Sequence, residues 1–358
     1  MENLLSGPRP IGLRGHWAKY ILAFTIPAAV AASLLAEGGW AFGALVYAFG
    51  ILPALELVLP PARTNLTELE RGFVAEDPRY DRLLWWMVPV QWGLVVLFLM
   101  DPGADAVTVT GRVFALGLAC GVLGINVAHE LGHRPDAFSQ RLAHALLASS
   151  MYTHFFIEHN RGHHRNVATP DDPATARKGE WVQLFWARAV FGGLLGAWKL
   201  EAERLRRKGR SPWTWENQFL RLQLLQWGLF AAAAEVFGWQ AALGWGAAAA
   251  FGGCLLETVN YIEHYGLQRE RMNAHRYVPV EPEHSWNSDH VLGRMILFEL
   301  SRHSDHHHVP SKPFAQLDHI ERAPQLPTGY PGMMLLSLFP PLFFRVMRPR
   351  LAAVPSGR

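Results

Sequence analysis

The chain has 358 residues, half of them hydrophobic and 18% charged, with a formal net charge of only +3. Long apolar runs alternate with charged stretches, the pattern of a polytopic membrane protein. Lys and Arg lie between the apolar runs and form no single patch, which argues against a nucleic-acid surface. The two cysteines, Cys120 and Cys254, lack Cys-x-x-Cys spacing, which excludes a cysteine-ligated iron–sulfur centre within the chain and leaves both as packing residues.

Arg9, Arg14 and Lys19 precede a first apolar segment of membrane-spanning length, and no small-residue cleavage site follows it. This span is therefore expected to stay in the mature protein. Six stretches are long enough to cross a bilayer, near residues 18–36, 39–60, 83–101, 107–128, 218–237 and 239–262. Pro27 and Pro53 should kink the first two without ending them. Trp17, Trp40, Trp181, Trp227 and Trp239 fall near the ends of apolar runs, as interfacial anchors do.

The breaks after spans one, three and five are short and carry no Lys or Arg, whereas every other connection carries several. The positive-inside rule then puts both termini, residues 61–82 and residues 129–217 on the cytoplasmic side. Residues 139–157 are expected to form a helix, and 181–205 an amphipathic helix at the interface. The tail holds one short apolar stretch, 333–347, which Pro340 and Pro341 make a poor seventh span. The expected fold is all-α: one membrane-embedded domain over 1–358 with six transmembrane helices and a cytoplasmic, His-rich catalytic cap formed by 129–217 and 263–358.

Nine of the 17 histidines fall in four tight groups at or beyond the cytoplasmic ends of the spans. The first is His129-Glu130-Leu131-Gly132-His133, in which positions i and i+4 share a helical face. The second, Glu158-His159-Asn160-Arg161-Gly162-His163-His164, repeats that pair and adds a histidine turned by about 100°, able to serve a second metal. The third is His264 alone, as span six leaves the membrane, and the fourth is His303-Ser304-Asp305-His306-His307. His-Glu-x-x-His by itself would suit a zinc protease, which needs three protein ligands. Nine candidates call for two ions, and imidazole suits iron, copper, nickel or zinc. A metal transporter would pair ionisable groups at mid-membrane, but Glu56, Gln91, Arg112, Asn126, Glu235 and Glu257 are spread without a relay.

These boxes and the residues around them resemble the integral-membrane alkane monooxygenase family. The similarity covers most of residues 120–335, through 129–133, 154–176, 260–267, 284–288, 302–307 and Pro327-Thr328-Gly329-Tyr330-Pro331-Gly332. By position, the family's iron ligands fall on His129, His133, His159, His163, His164, His264, His303, His306 and His307. The resemblance implies a non-haem diiron site with two Fe ions, dioxygen and linear alkanes as substrates, and conversion of a terminal methyl to a primary alcohol. It further implies rubredoxin and its NADH-dependent reductase as electron donors, and the bacterial inner membrane, among membrane lipid, as location. The span-two position where side-chain bulk limits chain length falls at or near Ala48, a small residue that favours medium-to-long chains. The Asp and Asn-Pro-Pro usual after span two read Glu56 and Pro60-Pro61-Ala62-Arg63-Thr64-Asn65-Leu66 here, which bears on substrate range. A fatty-acid desaturase or an aromatic methyl hydroxylase would use a similar site, and the fuller match around His264 and His284 separates them.

All-imidazole ligation leaves two ferrous ions uncompensated beside a low-dielectric membrane. Glu130, Glu158, Glu263 and Asp305 adjoin the histidine groups, and some of them are expected to accept the second ring N–H of a ligand. Asp171 and Asp172 follow the second box and either shape the site or form a turn. Arg161, Lys178, Arg204 and Arg207 are candidates for a basic face toward an acidic rubredoxin, or simply carry positive-inside charge. His16, His144, His275, His290, His308 and His319 are expected at solvent or interface, with His154 and His284 as candidates for orienting ligands.

Overall fold

The computed structural model describes residues 13, 15–274 and 276–354; Arg9, Arg14 and His275 lie outside the described residues. Among the described residues, five helices are long and apolar enough to cross a membrane: α1 (His16–Leu35), α2 (Gly38–Val58), α4 (Arg79–Met100), α5 (Ala106–Gly132) and α10 (Trp239–His264). Between α2 and α4 lies the short α3 (Glu68–Ala75). The fourth and sixth spans run past the expected ends at 128 and 262, so His129 and His264 ride on the spanning helices themselves.

The remaining expected span is α9 (Gln218–Phe237), a 20-residue helix that falls short of the apolarity of the other five. Gln218, Arg221, Gln223, Gln226 and Glu235 dilute it. A single residue, Gly238, joins it to α10 at φ 88°, where a Cβ would be strained, so α9 doubles back on α10.

Helices α5 and α10 pack closely. A Cβ on Gly117 would lie 2.7 Å from the Ala248 carbonyl, and one on Gly252 would lie 2.9 Å from the Gly117 carbonyl. Glycine at both positions lets the backbones touch, the usual means of packing helices where lipid supplies no hydrophobic drive. The same two helices carry His129 and His264 in their last turns, so this contact helps to set how far apart those rings stand.

Among the described residues, three π-helical turns interrupt the α pattern: Tyr47–Ile51 in α2, Cys120–Asn126 in α5, and His159–His163. The first precedes Pro53, whose missing N–H and ring disturb a regular turn. The second precedes His129, and the third lies within the second histidine box.

The long connecting segments and the tail gather at one end of the bundle. A Thr67–Glu70 capping box starts α3, which is tied to the tail by Arg71–Asp318 (2.5 Å) and by Asn65 donating to the His319 carbonyl (2.9 Å). Residues 139–157 do not form the one continuous helix expected. α6 (Ala137–Ser149) ends where Ser149 and Ser150 hydroxyls bond the Leu146 and Cys120 carbonyls and Met151 takes φ 48°. Such side-chain bonds compete with the helix ladder. α7 then runs through Phe155–Glu158, His159–His163 and His164–Asn166. α8 (Val182–Arg207) matches the expected amphipathic helix.

After α10 come a two-stranded hairpin (Arg271–Asn273 with Arg276–Tyr277) and α11 (Val291–Ile296), α12 (His303–His308), α13 (Tyr330–Ser337) and α14 (Pro340–Ala353). The apolar 333–347 stretch breaks at Leu338–Phe339 before Pro340 and makes no seventh span.

Candidate metal centre

All nine candidate histidines meet at this end of the bundle, in two groups. The ring nitrogens of His129, His133, His159, His164 and His306 form one; those of His163, His264, His303 and His307 form the other. Within each group the ligand atoms lie within 4.8 Å of one another.

Their spacing is that of a coordination shell. Nε2 of His129 is 2.9 Å from Nε2 of His306, and His164 Nε2 stands 3.0 to 3.2 Å from those of His159, His133 and His306. In the second group, His303 Nε2 is 3.2 Å from His264 Nε2 and 2.9 Å from His307 Nε2. Bonds of about 2.1 Å at right angles put neighbouring nitrogens about 3.0 Å apart. His163 Nε2 is buried with no hydrogen-bond partner among the described residues, as a nitrogen meant for a metal would be.

The grouping corrects the reading of the second box. His159 and His163, four apart, go to different groups, and His159 is instead paired with His164, five apart. The π turn is the cause: its wider turn brings i and i+5 to one side and turns i+4 away. In α12 the ordinary helix keeps His303 and His307 together and sends His306 to the other group.

Burial first, and then the neighbouring imidazoles, hold His159, His164, His303, His306 and His307 well below the ordinary imidazole range. Burial, helped by His163, puts His133 at about 4. Near neutral pH these rings are thus in the unprotonated form that binds a metal. His163 differs. Burial pushes it down, but the Asp172 carboxylate 2.9 Å from Nδ1 outweighs burial and holds the ring at about 9.

The four neighbouring acids do not take up the second ring N–H of the histidine beside them. Glu130 accepts from Arg134 (2.9 Å) and the Phe314 N–H (3.2 Å), and Asp305 from Lys312 (2.6 Å) and the Asp318 N–H (2.7 Å). Glu158 faces a small cavity beside His159 and His163. Consecutive helical residues point about 100° apart, so an acid next to an inward histidine turns elsewhere. Glu263 comes nearest: Oε2 lies 3.2 Å from His303 Nε2, on the inward side of that ring, while Oε1 accepts from the Tyr330 hydroxyl (2.7 Å).

The carboxylate that does grip an outer nitrogen is Asp172, itself fixed by the Thr175 hydroxyl (2.5 Å) and the Ala174 N–H (3.0 Å). Asp171 beside it is exposed. Tyr330 is the residue that sequence reasoning missed, though it stands inside the quoted 327–332 stretch.

The remaining candidates serve locally. Arg161 and Arg204 clamp the buried Glu201 (2.5 and 2.8 Å), Arg207 lies 3.7 Å from Glu203, and Lys178 is exposed. His154 packs on Tyr152, with ring centroids 4.4 Å apart, and His284 Nδ1 accepts from the Glu281 N–H (2.9 Å). His308 is exposed, as expected, and His290 meets Ser288 (3.0 Å). His16, His144 and His319 are less open than expected: they lie against Tyr80, Phe156 and Asp289. In the spans, Glu257 accepts from Tyr152 (2.8 Å) and Asn260 (3.1 Å), Asn126 donates to the Leu297 carbonyl (3.1 Å), and Arg112 reaches Asp101 (2.9 Å). Each is satisfied near its own position and none passes charge to the next.

An apolar cavity of about 70 Å³ lies among the spans. Its lining includes Ile26, Ala48, Phe49, Leu52 and Leu118, together with Asn126, Leu300 and Tyr330. Asn126 and Leu300 stand three residues before His129 and His303, and Tyr330 is bonded to Glu263.

Residues 106–337 match the sequence pattern of the fatty acid desaturase family. The alkane 1-monooxygenase of Pseudomonas putida is 39% identical over 328 residues, covering 90% of this chain and 81% of that one. Alkane 1-monooxygenase 2 of Pseudomonas aeruginosa is 36% identical over 356 residues, 96% of this chain and 93% of that one. More distant is the xylene/toluene monooxygenase hydroxylase component of Pseudomonas putida, 28% identical over 337 residues, 92% of this chain and 88% of that one.

Proposed function

The chain belongs to the alkane 1-monooxygenases within the fatty acid desaturase family, and from that membership we propose that it oxidises the terminal methyl of linear alkanes to a primary alcohol at a pair of iron ions. The observation that carries this reading is the gathering of nine histidines into two imidazole clusters, next to an apolar cavity whose wall includes Tyr330, the partner of Glu263 beside His303. Per turnover an alkane, dioxygen, two electrons and two protons give an alcohol and water.

Five histidines (129, 133, 159, 164, 306) hold one ion and four (163, 264, 303, 307) hold the other, with the Glu263 carboxylate beside the second. When bound, the irons supply activation of dioxygen and the oxidising power to break an unactivated C–H bond. The chain does the rest. Asp172 fixes the tautomer and orientation of His163, so that Nε2 faces the metal. Tyr330 holds Glu263 while forming cavity wall, which couples the ligand region to the substrate chamber.

The aliphatic lining binds a chain through contact alone and keeps bulk water from the reacting carbon. Ala48 lies in that lining, 5% exposed, where its small side chain leaves room for a longer substrate. The whole chain acts as one domain in a bacterial inner membrane, with six crossings including α9, and with both termini and the metal centre on the cytoplasmic side. Electrons come from rubredoxin and its NADH-dependent reductase, the donors expected from the family resemblance.

The test is an assay of iron-loaded membranes with rubredoxin, reductase and NADH against a ladder of alkanes. The expected product is the 1-alkanol. The similarity to the xylene/toluene hydroxylase component supports a second reading, aromatic methyl oxidation, and turnover of xylene without any alkane turnover would favour it.

A further inference from the structure

A second apolar recess, of about 460 Å³, lies beside the inner cavity. Its walls come from α2 (Leu45, Phe49), α10 (Phe251, Cys254, Leu255, Thr258), α8 (Trp186) and the α13 region (Met334, Leu335, Leu338). Leu335 and Leu338 are exposed, so the recess opens at the protein surface.

Its few polar atoms are already spoken for. Trp186 Nε1 donates to the Thr258 hydroxyl (2.9 Å), which donates to the Cys254 carbonyl (2.7 Å). Among the described residues, only the weakly polar Cys254 thiol is then left in the recess, too weak a donor to hold water against an alkyl chain. Three side chains, Phe49, Leu255 and Met334, line both the recess and the inner cavity, so they are the partition between them.

We propose that the alkane reaches the inner cavity sideways from the bilayer through this recess, with Phe49, Leu255 and Met334 as the gate that it must displace. The proposal rests on the alkane reading above and adds to it the route and the residues that control passage. The partition is built to move. Met334 has an unbranched, flexible side chain. Phe49 sits in the π turn Tyr47–Ile51, where the ladder is already irregular, one residue from Ala48 in the cavity wall. Lipid tails are as apolar as the recess, so passage gains little from burial, and the bulk of the three side chains governs the rate of entrance. The gate therefore selects by width and the inner cavity by length.

Cys254 offers a direct probe, because it lies in the recess and is partly exposed while Cys120 is fully buried. Membranes holding the full-length iron-loaded protein are treated with a decyl-chain methanethiosulfonate, with and without dodecane. Dodecane is expected to slow labelling of Cys254 severalfold. The labelled protein should lose about tenfold in kcat/KM for dodecane, with a smaller change in kcat and no loss of iron. C254A protein treated in the same way should keep the activity of untreated C254A. Leu255→Trp, which thickens the partition, should reproduce the kcat/KM loss without a label. Labelling that dodecane does not slow, or labelled protein that turns over dodecane unchanged, overturns the proposal. If the unlabelled enzyme makes no alkanol, the functional reading fails on its own, and protection of Cys254 still decides whether alkane occupies the recess.

Discussion

The two histidine groups stand side by side and differ in almost everything but ligand type. The five-histidine group is all imidazole, and two of its members, His133 and His164, are only partly buried. The four-histidine group is wholly buried, has Glu263 at 3.2 Å from His303 Nε2, and has His163 held by Asp172. A buried cation needs nearby anions, whereas one closer to solvent does not. The number of imidazoles thus falls where carboxylate appears, and the chain balances charge separately at each position.

Single-ligand deletions break the comparison most severely. His163→Ala and His164→Ala change adjacent residues, yet each is expected to abolish detectable alkane oxidation by emptying a different site. Spectroscopy that distinguishes the two irons would show complementary losses, and loss of the same iron from both variants would refute the division.

Asp172→Asn should affect one group only. The amide can no longer hold His163 as a carboxylate does, and the expected cost is about 10- to 100-fold in affinity at that site or in turnover. Iron at the five-histidine group should remain, which metal analysis at limiting iron would reveal.

Acidity sharpens the contrast further. In metal-free protein His163 is held up at about 9, so below that value a metal must displace its proton. Affinity of the four-histidine group should then rise about tenfold per pH unit between 7 and 9 and level off above. The five-histidine group, with His133 at about 4 and its neighbours outside the spans lower than usual, should change little over that range. Competition with a chelator at several pH values measures both slopes, and equal slopes would contradict the assignment.

The smallest effect is expected farthest from the metals. Ala48→Trp should leave iron content unchanged while shifting product formation from hexadecane toward decane. An unaltered profile would remove Ala48 from the lining that matters.

The ligands were legible because metal binding needs particular side chains at particular spacings, and the five spans in 16–132 and 239–264 because lipid demands long apolar runs. Which histidine joins which group was not legible. That depends on the π turn at His159–His163, which no periodicity announces. Nor could sequence separate Asp172 from Asp171, because a turn turns one inward and leaves the other exposed. Glu130 and Asp305 were candidates for orienting a ligand histidine by their place in the sequence; in the fold they meet Arg134 and Lys312. The cavity was least visible, since its walls combine α2, α5 and α10 with Tyr330 and Met334, which lie 66 and 70 residues beyond the end of the last span at His264.

The central claim is a pair of unlike iron sites, and the most direct measurement is iron content with Mössbauer spectra of the reduced, full-length protein in membranes. The account predicts two irons per chain in two distinct nitrogen-rich environments, one for each histidine group. A single metal per chain, or two irons in one indistinguishable environment, would contradict it.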